Sequence, residues 1–441
     1  MSYYLGGVRL DKYFLRMRKI ITIVLFFISL TTTSYAQHQI SVEKMAKGWV
    51  LQVDGNPLMV NGINWDYFPI GTNYEYSLWR QSDEFIRRAL DYEMGLLENA
   101  GINAIRAYSS IPKEWITYIY KNYGIYTMLN HSFGRYGISI NEQWMANTDY
   151  SNPEVKSKLI TEVQRLANEY KNTEGLLLYL LGNENNYGLF WEGAETEDIP
   201  VEDRSSTARA RAMYQLFNQA IVAIKEIDEN HPIAFCNGDV QFLEIITEEV
   251  PDADIFGTNT YRGASFTDLY ERVANEYDKP VLLTEFGADA FNAVTQKEDQ
   301  YHQAYYVLEN WKEVYANAAG LNGWNNSIGG FTFQFSDGWW KYGQTRNLDV
   351  HDTNASWGNG GYEFDFVEGK RNMNEEWFGI LAKGPVKEDG SFILRPRAAY
   401  YIIQKVHAFN PSAPQVVEED LSQHFSSISL DEAVEKAKSE Q

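Results

Sequence analysis

Two glutamates stand where apolar runs give out. Glu184 follows the run in LLLYLLGNENNYG (Leu176 to Gly188), and Glu285 follows the run in KPVLLTEFGAD (279–289). A strand leaving a hydrophobic core normally ends in turn formers, so a carboxylate among amides at its end needs a chemical reason. One carboxyl that keeps its proton can protonate a departing oxygen. A second, bare, can attack the carbon that oxygen leaves, or activate a water. That pairing suits glycoside hydrolysis, where a separation of about 5–5.5 Å gives retention and roughly 6.5–9.5 Å gives inversion.

The elements around these residues say whether the two could meet. ISVEKMAKGWVLQVDGNPLMVNGINW alternates around turn signals at Lys47-Gly48 and Asp54-Gly55-Asn56-Pro57, which predicts a short hairpin feeding a first core strand, Leu58 to Asn64. Helical and strand-like runs then alternate: DEFIRRALDYEMGLLENAG, INAIRAY, PKEWITYIYKNYG, IYTMLNH, NPEVKSKLITEVQRLANEYKNT, and so on to GGFTFQFSDGWW. Near-continuous apolar strands alternating with amphipathic helices mean a parallel sheet covered by helices. Eight such strands, with no Gly-rich fingerprint after the first, favour an α/β fold of the (β/α)8 TIM-barrel type over an open doubly wound sheet. PRAAYYIIQKVHAF would close the ring of helices around a single 37–411 domain, and 412–441 reads as a polar, poorly patterned tail, in which LDEAVEKAKSEQ forms an exposed helix or none.

A barrel of this kind gathers its site at the C-terminal ends of its strands. The second delivers Arg106 there, the third Asn130 and His131, and the fourth Asn183 and Glu184. The fifth brings Asn237 and Asp239, the sixth Asn259 and Tyr261, the seventh Glu285, and the eighth Asp337, Trp339 and Trp340. Strands four and seven face each other across a barrel mouth. Arg106 near Glu285 would stabilise a bare carboxylate, while Glu184, in more apolar surroundings beside a second acid, should hold its proton. His131 is assigned to the sugar subsite, with a hydrogen-bonded structural histidine as the other reading. Tyr67, Phe68, Tyr74, Tyr76 and Trp79 fall in the loop after strand one, and Trp144, Phe190 and Trp191 in later loops. Such long aromatic-rich loops at a barrel mouth suit a glycan-stacking cleft. The Gly/Asn-rich segment from Lys341 to Trp377 is either a further cleft wall or a barrel loop.

Bulk properties narrow the partners. MRKIITIVLFFISLTTTSYAQ has the basic start, short apolar run and small residues of a secretory signal, with Met17 as a possible true start and cleavage after Ala36. Residues 1–36 are therefore set aside, and the mature chain is expected to be secreted or periplasmic. Removing them takes away five bases (Arg9, Lys12, Arg16, Arg18, Lys19) and one acid (Asp11), moving the formal charge from −22 to −26. Such a surface repels phosphate backbones, so nucleic acid is excluded as a partner. No later segment is apolar over the length that spans a bilayer. Cys236 stands alone, so no internal disulfide is possible. Histidines are scattered, so neither a metal nor another cofactor is expected.

In order and spacing, these residues resemble the retaining (β/α)8 glycosidase clan, glycoside hydrolase clan A, which contains families 2, 5, 17 and 72. GNEN ending strand four and LLTEFG ending strand seven look like its paired glutamates, and the match runs from about Val60 to Trp340. The resemblance implies Glu184 as acid/base, Glu285 as nucleophile, and Asn183 as the amide that hydrogen-bonds the sugar 2-hydroxyl. It implies Arg106 as the arginine beside the nucleophile, Tyr261 as the tyrosine that orients it, and Trp339 or Trp340 as the stacking platform. GINAIRAYS, GIYTMLN, ADIFGTNTY and PVLLTEFG are further similar to the β-1,3-glucanosyltransferases of family 72. The implied function is a secreted retaining hydrolase of β-glycosidic bonds in a glucan-type polysaccharide or oligosaccharide, β-1,3-glucan favoured. A transglycosylase on the same site and a non-catalytic carbohydrate-binding barrel are the alternatives.

Overall fold

The computed structural model describes residues 38–189, 207–341 and 343–440. The signal-type segment over 1–36, Phe190 and Trp191 lie outside them. Strands β1 (Ile40–Met45), β2 (Gly48–Val53) and β3 (Asn56–Pro57) form a small antiparallel sheet, so the expected hairpin gains a short third strand. Eight parallel strands then close a barrel in chain order. They are β4 (Val60–Asn64), β5 (Ala104–Ala107), β6 (Tyr126–His131), β9 (Leu176–Leu181), β10 (Ile233–Gly238), β11 (Ile255–Asn259), β12 (Val281–Phe286) and β15 (Ser327–Thr332). Three two-stranded ribbons decorate it: β7 (Ile138–Ile140) with β8 (Gln143–Met145), β13 (Phe291–Asn292) with β14 (Lys297–Glu298), and β16 (Leu381–Val386) with β17 (Phe392–Pro396).

The helices between the strands are α1 (Asp83–Asn99), α2 (Lys113–Tyr123), α3 (Pro153–Tyr170), α4 (Thr207–Lys225), α5 (Leu243–Glu249), α6 (Leu269–Glu276) and α7 (Gln300–Ala316). Their ends follow local chemistry. Ser82 caps α1 by accepting from the Phe85 amide, and Asn152 caps α3 from the Glu154 amide with Pro153 in the first turn. After the last barrel strand, α8 (Ala398–Val406) completes the outer ring.

Period two divides the core into two layers. Inside the barrel, Val60, Ala104, Met128, Leu178, Leu180, Ala234, Leu282 and Phe331 pack together with Ile40 and Leu51 of the N-terminal sheet. The sheet is thus the barrel's floor. Phe331 fills the interior across from Gly62, where an added Cβ would lie 2.4 Å from its ring. Between barrel and helices, Ile63, Ile105, Leu129, Tyr179, Leu181, Leu283 and Phe286 meet the helix faces.

Two expectations need correction. The segment 412–441 is no loose tail: it forms α9 (Glu418–Ser426) and α10 (Leu430–Ser439). Leu421, Phe425, Ala433 and Ala437 bury into the main core, and Phe425 meets Tyr315 of α7 edge-on at 6.0 Å. The apolar stripe has one residue per turn and half of it is alanine, so polar composition concealed it. The last barrel strand also stops at Thr332, earlier than GGFTFQFSDGWW suggested. Beyond it the backbone turns away to pair with 378–381, Ile380 N donating to Gln334 O at 2.9 Å and Leu381 N to Phe335 O at 3.0 Å.

Candidate active site

The site is built around one arginine. Arg106, on an inward position of β5, is fully buried, and all five of its N–H donors are used. Nε and Nη2 both donate to Asn130 Oδ1 (3.0 and 2.9 Å), and Nη2 also to Asn183 Oδ1 (2.8 Å). Nη1 donates to Glu285 Oε1 and to Thr284 O, each at 3.0 Å. One cation therefore ties together the ends of strands two, three, four and seven.

Glu285 receives more than the arginine. Tyr108 donates to Oε1, and Tyr261 donates to Oε2 at 3.1 Å. Both phenols are pushed well above the ordinary tyrosine range by burial, with the Glu285 charge adding to it. They stay protonated and remain donors. Strict alternation along β12 would place Glu285 opposite Thr284, among the helix-facing residues. Instead the pairing with β11 jumps from Thr258–Leu283 to Asn259–Glu285, and the pairing with β15 slips between Leu283 and Phe286. This irregularity lets Thr284 face the interior while Glu285 still enters the mouth, the way a bulge re-aims a side chain.

Glu184 comes to the mouth by a different device. Gly182 (φ 83°) and Glu184 itself (φ 56°) are left-handed, so the chain kinks as soon as β9 ends. For a non-glycine residue that geometry costs on the order of 1 kcal/mol and must be held by its surroundings. Asn185 Oδ1 accepts from the Asn183 amide (2.8 Å), and Asn185 Nδ2 donates to Phe133 O and the Tyr150 hydroxyl. Asn186 exchanges two bonds with the Gly238 backbone. Asn185 and Asn186 are thus spent on the groups around them. They are buried clamps of the kink, and only Asn183 of the three asparagines touches Arg106. Glu184 is half-buried, and its carboxyl is raised to about 7, by burial first and by the Glu285 charge second, with Asn259, Arg135 and Arg106 opposing. Asn259 bridges the two halves, donating to Asn183 Oδ1 (3.0 Å) and accepting from Thr284 Oγ1 (2.7 Å).

Arg106, Asn183, Glu184, Tyr261 and Glu285 are thus brought together. His131 is not. It falls on the helix-facing side of β6, its Nδ1 accepting from the Phe133 amide at 3.2 Å and its Nε2 3.6 Å from Glu162 of α3. Its neighbour Asn130 takes the inward position, so the alternation assigns the pair in the reverse sense. Asp337 also leaves the mouth, pairing with buried Arg397 at 2.6 and 2.7 Å. Trp339 stacks on His351 (4.9 Å between rings, 6° between planes), and His351 stacks on Trp377 at 3.7 Å. Trp340 meets Phe68 and Tyr74 at 5.5 and 5.9 Å, joining the loops after strands eight and one in one aromatic wall. The segment from Lys341 to Trp377 packs on Tyr261 through Trp357, 5.7 Å from its ring. Sequence reading missed Tyr108, although it stands two residues after Arg106 and continues the same face. Among the described residues no three His, Cys, Asp or Glu side chains gather as a metal site requires, and no helix is long and apolar enough to cross a membrane.

Comparison with known proteins gives the same class of barrel. The family model "Glycosyl hydrolases family 2, TIM barrel domain" matches residues 80–318. Over 227 residues the chain is 23% identical to the probable 1,3-beta-glucanosyltransferase GAS3 of Saccharomyces cerevisiae, which covers 44% of this chain and 38% of that protein. The GH2 beta-galacturonidase of Eisenbergiella tayi superposes with a TM-score of 0.51 at 16% identity, over 85% of this chain and 54% of that one. The beta-glucuronidase of Bacteroides uniformis does so with a TM-score of 0.53 at 14% identity, over 83% and 37%. At these identities the superpositions show the fold alone, and the chain spans about half or less of the length of each of these proteins.

Proposed function

Because the chain belongs to the glycosyl hydrolases family 2, TIM barrel domain, we propose that it cleaves β-glycosidic bonds of a glucan-type polysaccharide or oligosaccharide with retention, through Glu285 and Glu184. The observation that carries this reading is the contrast between the two acids. Glu285 has a cation and two phenols on its carboxylate, whereas Glu184 is raised to about 7. One is equipped to attack and the other to give a proton.

In the first step a Glu285 oxygen bonds to the anomeric carbon as the bond to the leaving oxygen breaks, and the Glu184 proton passes to that oxygen. In the second, a water gives its proton to Glu184 and its oxygen to the same carbon, releasing Glu285. A sugar hydroxyl in place of that water gives transglycosylation. The preference for β-1,3-linked glucan draws support from the family 72 motifs and from the name of the yeast relative. Export is part of the reading and rests on residues 17–36.

The test is a proton NMR time course on β-1,3-glucan with protein recovered from the periplasm or medium. The first product is expected in the β configuration, and a first product in the α form would overturn the nucleophile assignment. Products longer than the substrate would identify the transglycosylase.

Glu184 also fixes a pH dependence. A general acid works only while protonated, so kcat/KM should fall about tenfold per pH unit above roughly pH 7. Glu184→Gln should remove that limb, and a limb unchanged in the variant would assign it to another group.

A further inference from the structure

The loop after strand three carries groups that the hydrolysis chemistry leaves unused. Arg135 Nε donates to the Asn183 carbonyl at 2.9 Å, and Asn183 Nδ2 donates to the Tyr136 hydroxyl at 2.8 Å. Residues 135 and 136 are therefore fastened to the residue beside the proton donor. The chain continues into the antiparallel ribbon of β7 and β8, in which Ser139 pairs with Trp144, and Ile138 is buried. Its return is tied down as well. Thr148 Oγ1 donates to Gly134 O (2.6 Å), and Tyr150 donates to Phe133 O (3.0 Å) while accepting from Asn185 (2.7 Å).

This anchored ribbon presents two aromatic rings to solvent. Trp144 is 64% exposed and Tyr136 38%. The Trp144 ring lies against Gly137, the residue after Tyr136, where an added Cβ would meet it at 2.4 Å. An indole that open, on a ribbon pinned to the residue beside the proton donor, leaves an apolar face for a ligand to cover.

We propose that this ribbon forms the subsite for the sugars on the leaving-group side of the scissile bond, with Trp144 as the stacking platform and Tyr136 as the contact next to it. The side follows from the anchoring. The proton donor must stand at the departing oxygen, and the ribbon hangs from strand three, next to the strand that carries Glu184. The wall of Phe68, Tyr74 and Trp340 comes from the loops after strands eight and one, next to the strand that carries Glu285. The occupant is an uncharged β-linked pyranose whose C–H face covers the indole, and an acceptor sugar in transglycosylation would take the same place. This inference rests on the glycosidase reading above and makes the substrate an oligomer that continues past the cleaved bond.

The test compares β-glucosyl fluoride, whose leaving group has no ring, with β-1,3-linked glucotetraose, in the native chain and in Trp144→Ala. The ratio of the two kcat/KM values, tetraose over fluoride, is expected to fall about tenfold in the variant, a loss of one ring contact. Trp144→Phe should recover most of it. Taking a ratio cancels any difference in folded fraction. A ratio that does not move overturns the subsite, as does a native chain that accepts the fluoride and refuses the tetraose. A native chain that turns over neither overturns the glucan reading on which the subsite rests, and the subsite falls with it.

Discussion

Glu285→Ala is expected to lower kcat/KM on a β-glucoside by roughly four orders of magnitude, since it removes the atom that bonds to the anomeric carbon. The fold should tolerate the change, because Arg106 Nη1 keeps its bond to Thr284 O and the Tyr108 and Tyr261 hydroxyls belong to half-buried side chains beside the vacated space. Arg106, Tyr108 and Tyr261 would then line a small space built for a negative charge. Sodium azide should enter that space and attack from the vacated face while Glu184 still protonates the leaving oxygen. Turnover should return, with an α-glycosyl azide as product after a single inversion. The readouts are initial rates with and without azide and the NMR configuration of the product. Undiminished activity in the variant, or a β-azide, would take Glu285 out of the mechanism.

The second large effect is expected from Arg106→Lys, a change that keeps the charge. Lysine offers three donors from one point, where the guanidinium serves Asn130 twice and also Asn183, Thr284 and Glu285. Several buried acceptors would lose their partners at a position with no access to water. Breaking a buried, hydrogen-bonded ionic network of this kind costs about 3–5 kcal/mol, and retaining the ammonium should bring this case to the low end. The unfolding midpoint in urea should drop accordingly. Activity should fall by roughly a hundredfold or more, since Asn183 and Glu285 lose their common tether. A variant with native stability and native kcat/KM would show that charge alone matters here.

The barrel was legible because its strands are buried on both faces and read as apolar runs between amphipathic helices, LLLYLL being the clearest. The site was legible wherever a polar residue closes such a run: Arg106, Asn183, Tyr261 and Glu285 all do. What escaped depends on orientation. Asn130 and His131 are adjacent and equally polar, and only the phase of β6 decides which enters the barrel. Carrying that phase down from Met128, an interior residue, would have chosen Asn130. The same count along β5 would have found Tyr108. The irregularity at Thr284 and Glu285 has no such signal, because a slipped register depends on two neighbouring strands at once. The kink at Glu184 is half visible: Gly182 announces a left-handed turn, but the roles of Asn185 and Asn186 follow from backbone groups of strands three and five.

The N-terminal sheet that seals the bottom of the barrel has a consequence for traffic. With Ile40 and Leu51 plugged against the interior residues, no polymer can thread the fold from end to end. Under the proposed function, a glycan bound at the mouth would lie across the rim like a plank over a well, with any overhang on opposite lips. Each cut would then give two pieces that peel away sideways, and the grip of each lip would set how soon the next chain can lie down.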